Sequence, residues 1–202
     1  MGTPRARARL RWVRHSGDVI SSRGAASTVL VAVVVLLVAS ACGTVGLNQL
    51  VKLSIQRLRA ADTVAAAKWG RGGTIADPAR EKVVLDAASA GAAQRGLDPR
   101  ESTSVFHDHI EASKVVQDGL LAEWSAEPAR APIAAPDLGQ VRQLLDRITG
   151  ELLDALAATR TMRASAHCAT ALRRALSDAE RDQHLDALHR RGLDRAVRSV
   201  CR

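Results

Sequence analysis

Twice the chain writes Asp-Pro ahead of a run with helical spacing, at Asp77-Pro78 and Asp98-Pro99, and Asp137 opens a third such run. A short carboxylate before the first turn accepts from amides that a helix leaves unpaired. Proline at the first helical position has a suitable φ and no amide to lose. These marks fix where helices begin and leave little room for strands. From residue 45 onward the chain is rich in Ala, Leu, Arg, Glu and Asp, with little β-branched alternation. The pattern implies an all-α fold, a single helical domain of about five to six helices.

The first helix is expected over Val45 to Trp69, with Leu47, Leu50, Val51, Ser54, Leu58, Ala61, Ala65 and Lys68 on one broad stripe. Asp62-Thr63 is a candidate kink, and Gly70-Arg71-Gly72-Gly73 a break. A second helix runs from Asp77 through Val83, Val84, Leu85, Ala88 and Ala92 to near Gly96. The third starts at Asp98 with Glu101 as capping-box acid, and lines one face with Val105, Phe106, Ile110, Ser113, Val116, Gln117, Leu120 and Trp124. Residues 126–137 hold three prolines and read as a linker. Asp137 then caps a fourth helix through Val141, Leu144, Leu145, Ile148, Leu152, Leu153 and Leu156. The stretch from Cys168 to Cys201 is helical, with a candidate restart at Ser177-Asp178-Ala179-Glu180.

Residues 1–41 read as a leader rather than as part of the fold. Arg5, Arg7, Arg9, Arg11 and Arg14 precede the apolar run Thr28 to Ala41, which is shorter than the roughly 20 residues a bilayer span needs. Small residues follow at Ala39-Ser40-Ala41, so cleavage would leave Cys42 first, in a setting that resembles a bacterial lipobox. The other two cysteines, Cys168 and Cys201, then form an even pair in an oxidising compartment, which favours a disulfide between them. The expectation is an exported protein, 42–202 being the mature domain. It would be lipid-anchored through Cys42 to the outer face of the membrane, or secreted or periplasmic if that cysteine is not lipidated. The leader also carries a net charge of +5 of the formal +8. With a nearly balanced remainder holding two Trp and one Phe, nucleic acid is a poor candidate partner.

Metal and covalent chemistry find no support. His184 and His189 would diverge by about 140° on a helix, and no CxxC, HExxH, GxSxG or phosphate loop is present. What remains is a set of polar residues on apolar helical faces. Arg57 and Lys68 are eleven residues apart, so they point within roughly 20° of each other and about 16 Å apart along one face. Arg80 follows at the second helix start. Three cations converging on an apolar surface suggest a pocket for a small, multiply charged anion. Ser113 and Gln117 form an i, i+4 pair on the third helix, and Arg142 lies one turn into the fourth.

The order Arg57, Lys68, Asp77-x-x-Arg80-Glu81, Ser113-x-x-x-Gln117 resembles the active-site signature of the all-α (type II) chorismate mutases. The stretches RLRAADTVAAAKW, LDPRESTSVFHDHIEASKVVQ and APDLGQVR, with the spaced C-terminal cysteine pair, resemble their secreted bacterial subclass. The similarity extends over residues 47–201. It implies an isomerase converting chorismate to prephenate by a Claisen rearrangement, with no cofactor and no covalent intermediate. By the resemblance, Lys68 and Gln117 donate to the ether oxygen of the breaking bond. Arg57, Arg80 and Arg142 hold carboxylates, Ser113 adds a hydrogen bond, Glu81 accepts from the ring hydroxyl, and Asp77 shapes the helix start. A homodimer is implied, with each site inside one protomer. Two departures stand out: some secreted members have Glu at the position of Gln117 and Gln at that of Val84. An isochorismate–pyruvate lyase, or a non-catalytic helical lipoprotein binding a small carboxylate or a protein partner, are the alternatives.

Overall fold

A computed structural model of the chain describes residues 23–69, 74–134 and 136–201, with side chains from residue 46 onward. Residues 1–22 of the expected leader and the break at Gly70–Gly73 lie outside the described residues. Residues 23–41 are described as backbone only, in a helix that starts before the expected Val45, and no side chain is described at Cys42, the expected lipidation site. The chain divides into two units, Met1–Leu37 and Val38–Arg202, and the second holds the cavity and its supporting helices.

Among the described residues there are seven α-helices and no strand: α1 (Arg23–Trp69), α2 (Pro78–Gln94), α3 (Pro99–Ala126), α4 (Leu138–Ala158), α5 (Arg160–Arg163), α6 (Cys168–Gln183) and α7 (Ala187–Ala196). Six have ten residues or more; α5 is a single turn. The aspartates act as expected, Asp77 accepting from Arg80 N, Asp98 from Arg100 N and Asp137 from Gly139 N. α2 ends at Gln94, and the φ of 62° at Gly96 lets Leu97 N reach Ala92 O while Gly96 N reaches Ala93 O. The proline-rich linker holds one short 3₁₀ turn, Pro128–Arg130.

α1 buries the stripe that its sequence suggests, and widens it. Leu47, Leu50, Val51, Leu53, Ile55 and Leu58 are all exposed by 2% or less and span about 200° of the circumference, while Asn48, Gln49, Lys52, Gln56 and Arg59 form an exposed polar face. Burying each such side chain contributes about 1.5–3 kcal/mol of transfer free energy, so this helix anchors the core. Its second half meets α3 at Trp69 and Trp124, whose rings pack edge to face at 5.9 Å. It meets α4 through Arg57 and Thr149, and α7 through Asp62 and His189. Asp62-Thr63 causes no break: α1 is continuous there, and the Asp62 carboxylate bonds across to α7.

The C-terminal third wraps back over α1 and α3. The restart falls at Asp186 rather than at Ser177. Asp186 accepts from His189 N at 2.8 Å and caps α7, whereas the Ser177 hydroxyl stays inside α6 and accepts from Arg181. α7 approaches so closely that a Cβ on Gly192 would lie 2.9 Å from Val116 of α3 and 3.1 Å from Leu58 of α1. Asp108, buried on α3, accepts from Arg195 and from Ser199 N, and so ties the chain end to the core. The disulfide joins Cys168 at the start of α6 to Cys201.

Candidate active site

A cavity of about 140 Å³ opens where α1, the start of α2, α3 and α4 come together. α1 contributes Arg57 and Lys68, α2 and its cap contribute Asp77, Arg80 and Glu81, and α3 contributes His109, Ser113, Lys114 and Gln117. Ala61, Val64, Ile75, Val84, Ile110 and Leu145 form the apolar remainder. Four cations face two carboxylates, and the amino end of α2 adds its partial positive charge. The excess suits an anion carrying about two negative charges.

Arg57 is buried under the cavity. Its Nη1 donates to Leu145 O at 3.4 Å and to Thr149 Oγ1 at 3.2 Å, and its guanidinium lies 5.8 Å from the Phe106 ring centre. One edge of the fork is therefore anchored on α4. Burial first, then the neighbouring Arg80 charge, lowers its pKa to about 10, with Asp146 acting the other way. It stays charged at neutral pH, and its hydrogen bonds go to a carbonyl and a hydroxyl rather than to a carboxylate, which favours an incoming anion.

Lys68 is the last basic residue of α1, and its Nζ donates to Ile75 O at 2.7 Å. An ammonium has three protons, so others remain for a ligand. Burial lowers its pKa from the ordinary lysine value, against the pull of Asp77, Glu81 and Asp118. Across the α2 start, Asp77 and Glu81 cap amides in turn: Arg80 N donates to Asp77 Oδ1 at 3.0 Å and Asp77 N to Glu81 Oε1 at 3.4 Å. Arg80 pairs with Asp146 at 3.2 Å, an exposed carboxylate that a ligand can displace.

On α3 the Gln117 Nε2 donates to Ser113 Oγ at 3.0 Å and to Ser113 O at 3.2 Å. The Gln117 Oε1 is buried with no partner. A half-turn of the amide would bring Oε1 to the Ser113 hydroxyl, giving up the Nε2 bond to Ser113 O and freeing Nε2 for a ligand.

Seven of the eight residues expected to bind or act on a substrate therefore line one cavity: Arg57, Lys68, Asp77, Arg80, Glu81, Ser113 and Gln117. Arg142 does not line it; it is exposed on α4, one turn before Leu145, which does. Two polar residues of the lining were not among those singled out from the sequence. His109 shares a stripe with Ser113 and Gln117 at i, i+4 and i+8, so its place was legible. Its buried ring faces Ser54 Oγ at 3.5 Å, and burial, then the Arg57 charge, drives its pKa down to about 3. Lys114, next to Ser113, gave no comparable signal. Among the described residues no group of three or more His, Cys, Asp or Glu is placed to hold a metal ion.

Residues 48–118 match the family model described as chorismate mutase type II. The chain is 37% identical over 153 residues to a secreted chorismate mutase of Mycolicibacterium smegmatis, covering 76% of this chain and 84% of that one. A secreted chorismate mutase of Mycobacterium tuberculosis is 34% identical over 163 residues, with 81% and 82% covered. In structure, the chain resembles a chorismate mutase from Burkholderia thailandensis with a TM-score of 0.74 and 35% identity, over 77% of this chain and 99% of the other.

Proposed function

The chain belongs to the chorismate mutase type II family, and on that premise we propose that it is an exported chorismate mutase that rearranges chorismate to prephenate. The reaction exchanges one σ bond for another inside a single molecule: the ether C–O bond breaks as a C–C bond forms, and nothing is added or removed. Chorismate carries two carboxylates, which the charge excess of the cavity balances. During bond breaking, negative charge grows on the ether oxygen, so a donor aimed at it stabilises the transition state more than the substrate.

Lys68 and Gln117 serve that oxygen from α1 and α3. Lys68 keeps one proton on Ile75 O and offers another. Gln117 offers Nε2 after the amide half-turn, with Ser113 holding its oxygen. Arg57, fixed at one edge by α4, and Arg80, released from Asp146, hold the carboxylates. Arg142 of the same chain, exposed one turn before Leu145, is the remaining candidate to hold a carboxylate. Glu81 takes the ring hydroxyl, and Asp77 keeps the α2 amides in place. Confining the substrate in its compact conformer supplies much of the remaining acceleration.

The observation that carries this proposal is the convergence of Arg57, Lys68, Arg80 and Gln117 on one cavity in a chain of this family. The test is incubation of the purified mature protein with chorismate, following chorismate loss and prephenate appearance. Pyruvate release from isochorismate in place of prephenate formation identifies a lyase. No turnover of either compound leaves a carboxylate-binding protein.

Export is supported by the relatives named as secreted. We take residues 1–41 as the leader and 42–202 as the mature domain. With Cys168 bonded to Cys201, Cys42 is the odd cysteine, which supports lipid attachment there. Membership of the secreted group supports a homodimer with each site within one protomer. Mass spectrometry of the membrane fraction and light scattering of the purified protein test these two assignments.

A further inference from the structure

Lys114 sits on the wall of the cavity beside Ser113, and its ammonium is divided between two acids. It lies 3.0 Å from Glu81 Oε1 and donates to Oε2 at 3.1 Å, and it donates to Glu111 Oε1 at 2.8 Å. Lys114 and Glu81 both line the cavity, and their side chains are 24% and 25% exposed. The pair joins the first turn of α2 to the middle of α3. Lys68, contributed by α1, feels the Glu81 carboxylate as well, yet its hydrogen bond goes to Ile75 O. Two cations thus contest one carboxylate. Lys114 holds both oxygens, and Glu111 anchors the ammonium from the preceding turn of the same helix.

The outcome of that contest matters for a Claisen site. A carboxylate accepts about four hydrogen bonds. Glu81 uses two of them, Lys114 donating to Oε2 and Asp77 N to Oε1, which leaves acceptor capacity for a ligand hydroxyl. Were Glu81 to swing to Lys68, the ammonium would be neutralised where a growing negative charge needs it, and the hydroxyl would lose its acceptor. Resting on the reaction assigned above, we propose that Lys114 is a positioning residue: it holds Glu81 against α3, so that Lys68 stays free to donate to the breaking ether bond and Glu81 faces the ring hydroxyl. Lys114 touches no reacting atom. It acts through Glu81.

The test is a double-mutant cycle with Lys114→Met, Glu81→Gln and both together, each checked for folding by a circular-dichroism melt. Two readouts are needed: kcat and KM for chorismate, and the Lys68 titration followed by lysine-selective ¹³C NMR. Deleting the Lys114 charge raises the Lys68 pKa by itself. In Lys114→Met the freed Glu81 also pairs with Lys68, so the rise exceeds that between Glu81→Gln and the double variant, and kcat falls about tenfold. In the double variant Glu81→Gln cannot form that pair. The Lys68 titration returns toward wild type and part of kcat is recovered, while KM stays raised. A Lys68 shift in Lys114→Met no larger than that between Glu81→Gln and the double variant overturns the proposal, as does a double variant with no better kcat than Lys114→Met. If the wild type is inactive on chorismate the substrate assignment fails, and the Lys68 titration still decides whether Lys114 keeps Glu81 from Lys68.

Discussion

Gln117 and Ser113, one turn apart on α3, share a hydrogen bond of 3.0 Å that leaves the glutamine oxygen buried and unpartnered. A half-turn satisfies the oxygen on the serine hydroxyl and frees two amide protons.

The first prediction follows from the choice of amide over acid. Gln117 donates at any ordinary pH, so the wild-type kcat is flat from about pH 5 to pH 8, where neither Gln117 nor a neutral His109 titrates. Gln117→Glu must be protonated to donate, and its rate falls as pH rises through the carboxyl pKa. Gln117→Leu loses on the order of 10²–10³ in kcat at all pH values. Steady-state kinetics of the three proteins across pH checks this; a wild type much faster in acid than at neutrality removes the assignment.

Lys68 gives the second. Lys68→Ala lowers kcat on the order of 10²–10³, since it deletes a donor to the developing oxyanion. The wild-type rate also falls on the alkaline side, at a pH below the ordinary lysine value, because burial favours the neutral amine. A rate held constant to pH values above the ordinary lysine pKa would contradict it.

The helix starts, the site constellation and the all-α class were legible because each rests on local chemistry: Asp and Pro at first turns, cations three turns apart, an i, i+4 polar pair. Less was legible where geometry depends on distant partners. The buried stripe of α1 was legible but its width was not, since Leu53 and Ile55, at its two edges, are buried as well. Asp62 looked like a kink and is a cross-helix acceptor. Lys114 gave no signal at all, since its importance comes from Glu81, 33 residues earlier.

His189 supplies the third prediction, concerning stability. Its ring bridges Asp62 on α1 at 2.9 Å and Asp186 at 2.8 Å. The Asp62 bond first, and the Asp186 bond after it, raise the pKa from 6.5 to about 9 against the effect of burial. A folded-state value above the unfolded one means that the protonated bridge stabilises the fold fully below the unfolded pKa. That contribution declines above 6.5 and is gone once pH has risen past about 9. The wild-type melting temperature should therefore drop between these two values by more than that of His189→Gln. Equal slopes for the two proteins would deny the bridge any role.

The disulfide carries the fourth. Cys168 and Cys201 are 33 residues apart, and the loop they close holds all of α6 and α7. Constraining an unfolded loop of that length stabilises the fold by about 3–4 kcal/mol in the chain-entropy model. The site itself draws on α1, α2, α3 and α4, none of them inside that loop. The loop acts on it at one remove, through Gly192 against Leu58 and Val116 and through Arg195 and Ser199 N on Asp108. Cys168→Ser/Cys201→Ser should therefore lose about 3–4 kcal/mol in denaturant unfolding while keeping kcat within about threefold at a temperature where it remains folded. A loss of kcat with little loss of stability would place part of the chemistry in the C-terminal segment, against the arrangement of the cavity.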